Sequence, residues 1–305
     1  MPEPKKNSIS PLSSPPSDQV IPVRTGTGGR AGTGGQGTAP IPNLFTLLNL
    51  IFGCIAIVLI LQTGETIVVM DDGGATQVTL PEKIWWGSLF IFAAAVVDFL
   101  DGFLAKMLKA TSVMGKQLDS LSDIVSFGVA PGMILYQLLR ISYSQEENGL
   151  DISIIGLLPA FIFTCAVAWR LAKFNLNEHQ IYSFQGVPSP AAGLVIASFP
   201  LIILYQYFDI QTLFINRWFL YAVILLLSYL MLSRQTFLAM KFVDFSFKNN
   251  LFKYILLSIA LIAVASMQWL SVPIIFIFYI LFSFFSKVPD PKIGDGIKET
   301  PEITV

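Results

Sequence analysis

Four aspartates, Asp98, Asp101, Asp119 and Asp123, fall within one short window of a chain that is 54% hydrophobic and only 13% charged. Asp98 and Asp101 are spaced i, i+3, and Asp119 and Asp123 are spaced i, i+4, so each pair shares one face of a helix. Carboxylates embedded among apolar residues are costly and mark function. Four together repel one another unless cations neutralise them, and hard divalent cations take oxygen ligands. The set therefore asks for metal. Two helix ends carrying four carboxylates can clamp two divalent ions, which in turn can bind a pyrophosphate. Gly102, directly after Asp101, lets a bulky ligand approach the helix, while Ala105 and Gly115 keep the two faces shallow. Lys106 can offer a cation to phosphates. Metal polarisation of a phosphoryl group, with a carboxylate to take a proton from an attacking hydroxyl, makes a phosphoryl-transfer site.

The elements that hold these residues are set by composition. Over 305 residues the mean hydropathy is +0.67, and apolar runs of about 20 residues, enough to cross hydrocarbon, follow one another. The expected fold is all-α, a polytopic transmembrane bundle of about eight helices. The expected spans cover 44–63, 84–106, 117–139, 153–172, 189–208, 217–233, 251–269 and 271–287. Gln268, Ser271 and Pro273 alone separate the last two, which predicts a tight helical hairpin. The third span carries Asp119, Ser120, Ser122, Asp123, Ser126 and Pro131, so it must face protein or water rather than lipid. Residues 1–40 are rich in Pro, Ser, Gly and Thr and are expected to be a disordered tail with no signal-peptide core. Residues 41–287 form the expected membrane domain, and 288–305 a second disordered tail.

Charge sets orientation and excludes classes. Lys106, Lys109, Lys116, Arg170, Lys173, Arg234, Lys241, Lys248, Lys253 and Lys287 fall on one side of the predicted bundle. Lys83, Arg140 and Arg217 fall on the other, among Glu65, Asp71, Asp72, Glu82, Glu146, Glu147 and Asp151. The first side is expected to be cytoplasmic, which places both termini and the acidic window there. A net charge of −1 and the lack of a basic stripe argue against nucleic acid. His179 is the single histidine, so an imidazole-based metal site is excluded, and a solvated loop residue is the expectation. Cys54 and Cys165 lie in apolar runs and are expected to be small, buried, reduced residues with a structural role and no disulfide framework.

The run Asp98-x2-Asp101-Gly102-x2-Ala105-Lys106-x8-Gly115-x3-Asp119-x3-Asp123 resembles the signature of the CDP-alcohol phosphotransferase family, D-x2-D-G-x2-A-R-x8–9-G-x3-D-x3-D. Seven of eight fixed positions match. Lys106 stands where the family usually has arginine, which keeps a positive charge and loses the planar fork. Ile41-Pro42-Asn43-Leu-Phe-Thr46-Leu-Leu-Asn49, Asp119-Ser-Leu-Ser-Asp-Ile-Val-Ser126-Phe-Gly-Val-Ala-Pro131, Trp169-Arg170-Leu-Ala-Lys-Phe-Asn175 and Gly186-Val-Pro188-Ser189-Pro190 look like blocks of the serine-using branch of that family. These blocks span roughly 41–250.

The resemblance implies a six-helix core with the C-terminal hairpin added to it, and transfer of a phosphatidyl group from CDP-diacylglycerol to L-serine with CMP leaving. It implies two ions, Mg2+ or Mn2+, held by Asp98, Asp101 and Asp119 with Asp123 near the second, and Asp123 as general base. Asn43, Thr46, Gly102, Lys106 and Ser112 would contact CDP-diacylglycerol, and the relatives suggest a homodimer. Arg170 and Asn175 are candidates for serine, since arginine suits a carboxylate; a helix-end anchor is the plainer reading of both. Asn43, Thr46 and Asn49 form an i, i+3, i+6 stripe that, without the family, reads as interhelical hydrogen bonding. Ser189, between two prolines, reads as a helix start. Two rivals stand beside serine transfer: the same chemistry on glycerol 3-phosphate or inositol, and a cation-coupled transporter. The absence of inverted repeats argues against the transporter.

Overall fold

Long apolar runs become helices here because a helix satisfies its own backbone groups where no water is available to do so. The computed structural model describes residues 40–62, 69–70, 76–77, 83–107, 113–145, 153–176, 186–205, 210–233, 235, 237 and 251–285. Both expected tails beyond these bounds, His179 and Ser112 lie outside the described residues, as does the side chain of Lys106. Helices α1 (Pro40–Leu61) and α2 (Ile84–Met107) pack along one another as a hairpin. Pro40 and Pro42 sit in the first turn of α1, where the missing N–H costs nothing. Two two-residue strands, β1 (Val69–Met70) and β2 (Thr76–Gln77), pair antiparallel between α1 and α2. They are a small addition to an otherwise helical fold.

The third span is longer and less regular than 117–139. It comprises α3 (Val113–Asp123), a π turn (Ile124–Val129) and α4 (Ala130–Ser144). Pro131 has no N–H to serve the carbonyl of Phe127, and a widened turn before it absorbs that loss. Neighbouring helices secure the turn. Thr164 Oγ1 donates to the Gly128 carbonyl at 3.0 Å, and Ser126 Oγ donates to the Asn49 carbonyl at 3.0 Å. The approach to α1 needs Gly53, where an added Cβ would lie 3.0 Å from Ser126 Cα. The sequence reading of this span as interior is upheld by Ser122, Ser126, Phe127 and Ala130, all fully buried.

The fourth span begins with a single turn, α5 (Ile154–Leu157), and continues as α6 (Ala160–Leu176), four residues beyond its expected end at 172. Helix α7 (Ser189–Tyr205) is followed by an unanticipated short α8 (Gln211–Ile215) and by α9 (Arg217–Leu232). Asn216 starts α9 by accepting from the backbone of Trp218 at 2.9 Å and Phe219 at 3.3 Å. Helices α10 (Leu251–Met267) and α11 (Ser271–Phe285) pack on each other across a 3-10 turn at Gln268–Leu270. Gln268 takes φ 46° there, so the expected tight hairpin is present.

Burial is arranged for a bilayer. Phe127, Phe163, Phe199, Ile134 and Ile196 fill the centre between helices, while Val58, Val96, Leu225, Leu261 and Ile262 face outward. Cys54 and Cys165 are free but exposed rather than buried as expected, because each falls on the outward face of its helix. Exposed aliphatics on nearly every long helix are what lipid contact requires. Among the described residues, four apolar stretches are long enough to cross a membrane: Asn43–Leu61, Ile84–Leu104, Met114–Ser144 and Tyr254–Phe284, the last folded back on itself at Gln268. The protein is an all-α polytopic membrane protein.

Candidate metal centre and reaction site

Helix α2 brings Asp98 and Asp101 to one end of the bundle, and α3 returns Asp119 and Asp123 to the same place. Carboxylate oxygens of Asp98, Asp119 and Asp123 all lie within 4.8 Å of one another. Oxygens around a divalent ion sit roughly 2.0–2.6 Å from it, so opposite ligands are separated by about 4–5 Å. The spacing fits. Asp98 and Asp119 come within hydrogen-bonding reach of each other, and Asp101 lies close enough to both for its charge to act on them.

Asp101 is held from α1. Thr46 Oγ1 donates to its Oδ2, while its Oδ1 is buried with no partner among the described residues. An orphaned carboxylate oxygen beside three clustered carboxylates is a donor set short of a cation. The all-oxygen character of the set suits Mg2+ or Mn2+ rather than a softer ion.

Asn49, one turn beyond Thr46 and fully buried, reaches the other end of the cluster. Its Nδ2 lies 3.4 Å from Asp123 Oδ1 and 3.5 Å from Ser122 Oγ. Ser122 Oγ donates in turn to the Asp119 carbonyl at 2.9 Å. The polar stripe of α1 is thus spent on the acidic helices. Asn43, at the start of the stripe, is half-buried. At Gly102 no described residue lies within 4 Å of an added Cβ. Such a shallow spot beside the carboxylates leaves room for a ligand.

Helix α6 supplies the cation. Arg170 is near enough to Asp123 for the two charges to interact. Its Nη1 donates to Ser189 Oγ at 3.3 Å, and its Nε is buried without a partner among the described residues. Ser189 is the first residue of α7 and fully buried, so besides starting a helix its hydroxyl receives the guanidinium. Asn175, at the end of α6, donates to Ser120 Oγ at 2.9 Å and braces α6 against α3.

Of the candidate residues, the tertiary structure assembles Asp98, Asp101, Asp119, Asp123, Thr46 and Arg170, with Gly102 open beside them. Asn175 is joined to α3 rather than to Arg170. Sequence reasoning gave no site role to Asn49 or to the Ser189 hydroxyl. The polar stripe of α1 was a signal for the first; nothing local signals the second.

Known proteins resemble the chain over this same region. The family model described as CDP-alcohol phosphatidyltransferase matches residues 39–232. A CDP-diacylglycerol–serine O-phosphatidyltransferase of Bacillus subtilis is 41% identical over 113 residues, 36% of this chain and 59% of that protein. The chain therefore spans under two thirds of that relative's length. One of the same description from Helicobacter pylori is 34% identical over 185 residues, 60% of this chain and 72% of the relative. An archaetidylserine synthase of Methanothermobacter thermautotrophicus is 27% identical over 161 residues, 52% of this chain and 57% of that protein.

Proposed function

Because the chain belongs to the CDP-alcohol phosphatidyltransferase family, we propose that it transfers the phosphatidyl group of CDP-diacylglycerol to L-serine. Phosphatidylserine and CMP are the products. The observation that carries this reading is the convergence of Asp98, Asp119 and Asp123 within 4.8 Å, with a half-buried arginine, Arg170, near Asp123. The descriptions of the relatives supply the donor and the acceptor.

Asp98, Asp101 and Asp119 would hold two ions, Mg2+ or Mn2+, with Asp123 near the second, and those ions would supply charge neutralisation of the pyrophosphate and polarisation of the phosphorus that carries diacylglycerol. Asn43, Thr46, Gly102, Lys106 and Ser112 bind the nucleotide end of the donor. Thr46 does so while fixing Asp101, so nucleotide binding and carboxylate placement share one side chain. Asp123 accepts the proton of the serine hydroxyl as the serine oxygen bonds to phosphorus. The bond from that phosphorus to the CMP oxygen breaks, and CMP leaves. Asn49 keeps one oxygen of Asp123 occupied, which directs the proton to the other.

Arg170 binds the serine carboxylate. Its Nη1 is engaged by Ser189, and its unpartnered Nε remains for an incoming oxygen. Asn175 serves the acceptor side indirectly, by holding α6 against α3 through Ser120. The concentration of Lys and Arg on one side puts the site and both termini at the cytoplasmic face, where a water-soluble acceptor arrives. A homodimer in the bilayer completes the reading.

The test is CMP release from CDP-diacylglycerol by purified protein with Mn2+ or Mg2+, offered serine, glycerol 3-phosphate or inositol in turn. Serine-dependent release that vanishes in Asp123→Asn supports the reading. Release with only another alcohol keeps the chemistry and replaces the acceptor. No CMP with any acceptor from folded, metal-replete protein overturns it in favour of cation transport.

A further inference from the structure

Helix α1 brings Asn49 into the acidic cluster with one end of its amide unused. Asn49 is fully buried. Its Nδ2 lies 3.4 Å from Asp123 Oδ1 and 3.5 Å from Ser122 Oγ. Its backbone carbonyl accepts from Ser126 Oγ at 3.0 Å, so helix and side chain are both held. Its Oδ1, however, is buried with no partner among the described residues. Turning the amide over would not satisfy that oxygen. It would then face the Asp123 carboxylate, another acceptor, and Ser122, whose hydroxyl proton already goes to the Asp119 carbonyl at 2.9 Å. A buried amide oxygen without a donor costs about 1–3 kcal/mol. The described residues offer it none, and a cation among the carboxylates would meet it.

We propose that Asn49 Oδ1 is a ligand of the ion at Asp123, a neutral donor added to the four aspartates. The inference rests on the reading of those aspartates as a divalent-metal centre. Hard divalent cations take about six oxygens or more, side-chain amide carbonyls among them. The two terminal atoms of an amide are about 2.3 Å apart, so with Nδ2 at 3.4 Å the amide oxygen lies no further than about 5.7 Å from Asp123 Oδ1. That bound includes the separation of about 4–5 Å between opposite ligands of one ion. A neutral oxygen also adds a ligand without adding to the repulsion among the carboxylates. The same side chain then serves two partners. An ion on Oδ1 polarises the amide and strengthens Nδ2 as a donor to Asp123, which joins metal occupancy to the placement of the proton acceptor.

The experiment is metal titration of the purified protein, with no turnover involved. Asn49→Leu removes the oxygen and is expected to weaken Mn2+ binding by about tenfold or more, read by calorimetry. Ile51→Ala, an outward-facing change on the same helix, should bind Mn2+ as wild type does. A residue that only braced Asp123 would also weaken the ion, so a second variant decides. Asn49→Cys puts a soft sulfur in place of the oxygen. Titration with Cd2+ is expected to give a sulfur-to-metal charge-transfer absorption beyond that of wild type, whose Cys54 and Cys165 set the background. Adding Asp119→Asn should remove that extra absorption. Undiminished Mn2+ affinity in Asn49→Leu, or no added absorption from Asn49→Cys with Cd2+, overturns the inference. Equal Mn2+ uptake by wild type and Asp119→Asn removes the metal centre itself and this ligand with it, so the two failures are distinguishable.

Discussion

Asn49 Nδ2 lies 3.4 Å from Asp123 Oδ1, joining side chains 74 residues apart in the sequence. The contact ties the first helix to the last aspartate of the signature. A hydrogen bond to a charged group contributes roughly 1.5–3 kcal/mol, and its loss leaves Asp123 free to rotate. Asn49→Leu is therefore expected to lower kcat by about 10- to 100-fold while the protein still inserts and folds. Steady-state CMP release beside a detergent melting curve checks this; undiminished kcat would show that Asp123 is held by other means.

Metal binding is open to measurement without turnover. A ligand at 100 times its Kd stabilises the folded state by about 2.7 kcal/mol, a shift of several degrees in Tm for a domain of this size. Mn2+ or Mg2+ should raise the Tm of wild type, and chelator should reverse the rise. Asp98→Asn and Asp119→Asn should abolish the shift. An equal rise in those variants would place the ion elsewhere.

Two glycines separate packing from binding. A Cβ at Gly53 meets Ser126 Cα at 3.0 Å, whereas one at Gly102 meets no described residue within 4 Å. Gly53→Ala should destabilise the protein by about 1–3 kcal/mol through overpacking and lower activity with it. Gly102→Ala should leave Tm unchanged and raise KM for CDP-diacylglycerol, because no described residue uses that space and a bound donor would. Thermal melting and donor titration of both variants decide it, and a wild-type donor KM in Gly102→Ala removes Gly102 from the binding surface.

Arg170→Lys preserves charge and discards the fork. Bidentate recognition of a carboxylate should fail with it, raising KM for serine by about tenfold or more. Kinetics against serine and against ethanolamine, which lacks the carboxylate, provide the check. Selective loss with serine supports carboxylate recognition; no change in KM for serine rejects it.

Gly186 has φ 77°, and an added Cβ would stand 3.1 Å from the Met231 carbonyl carbon. Gly186→Ala is expected to cost about 1–3 kcal/mol from backbone strain and to displace Ser189 from Arg170. The melting curve should fall and KM for serine should rise together. A loss of stability with acceptor kinetics untouched would separate this turn from the site.

Much of the architecture could be read from residue types because bilayers impose a local rule. Each apolar run must satisfy its own backbone, so α1, α2, α7, α9 and the α10–α11 hairpin follow from composition and from the polar break at Gln268. The aspartates were equally readable, since i, i+3 and i, i+4 spacing is a property of one helix and needs no partner. The π turn after Asp123 was less so: Pro131 announces a disturbance, but a neighbour offering Thr164 to the Gly128 carbonyl decides how it is absorbed.

By itself the sequence determined that this is a helical membrane protein carrying four carboxylates in a phosphoryl-transfer signature. Which side chains surround those carboxylates was decided by tertiary packing. Asn49 meets Asp123 because Gly53 lets α1 approach the π turn. Arg170 meets Ser189 because the chain at 186–187 is strapped to the end of α9. Helix α11 comes to lie against α7 only in the packed bundle. Helical periodicity acts over a few residues and is written locally, whereas these contacts join segments tens of residues apart and exist only once the helices have packed.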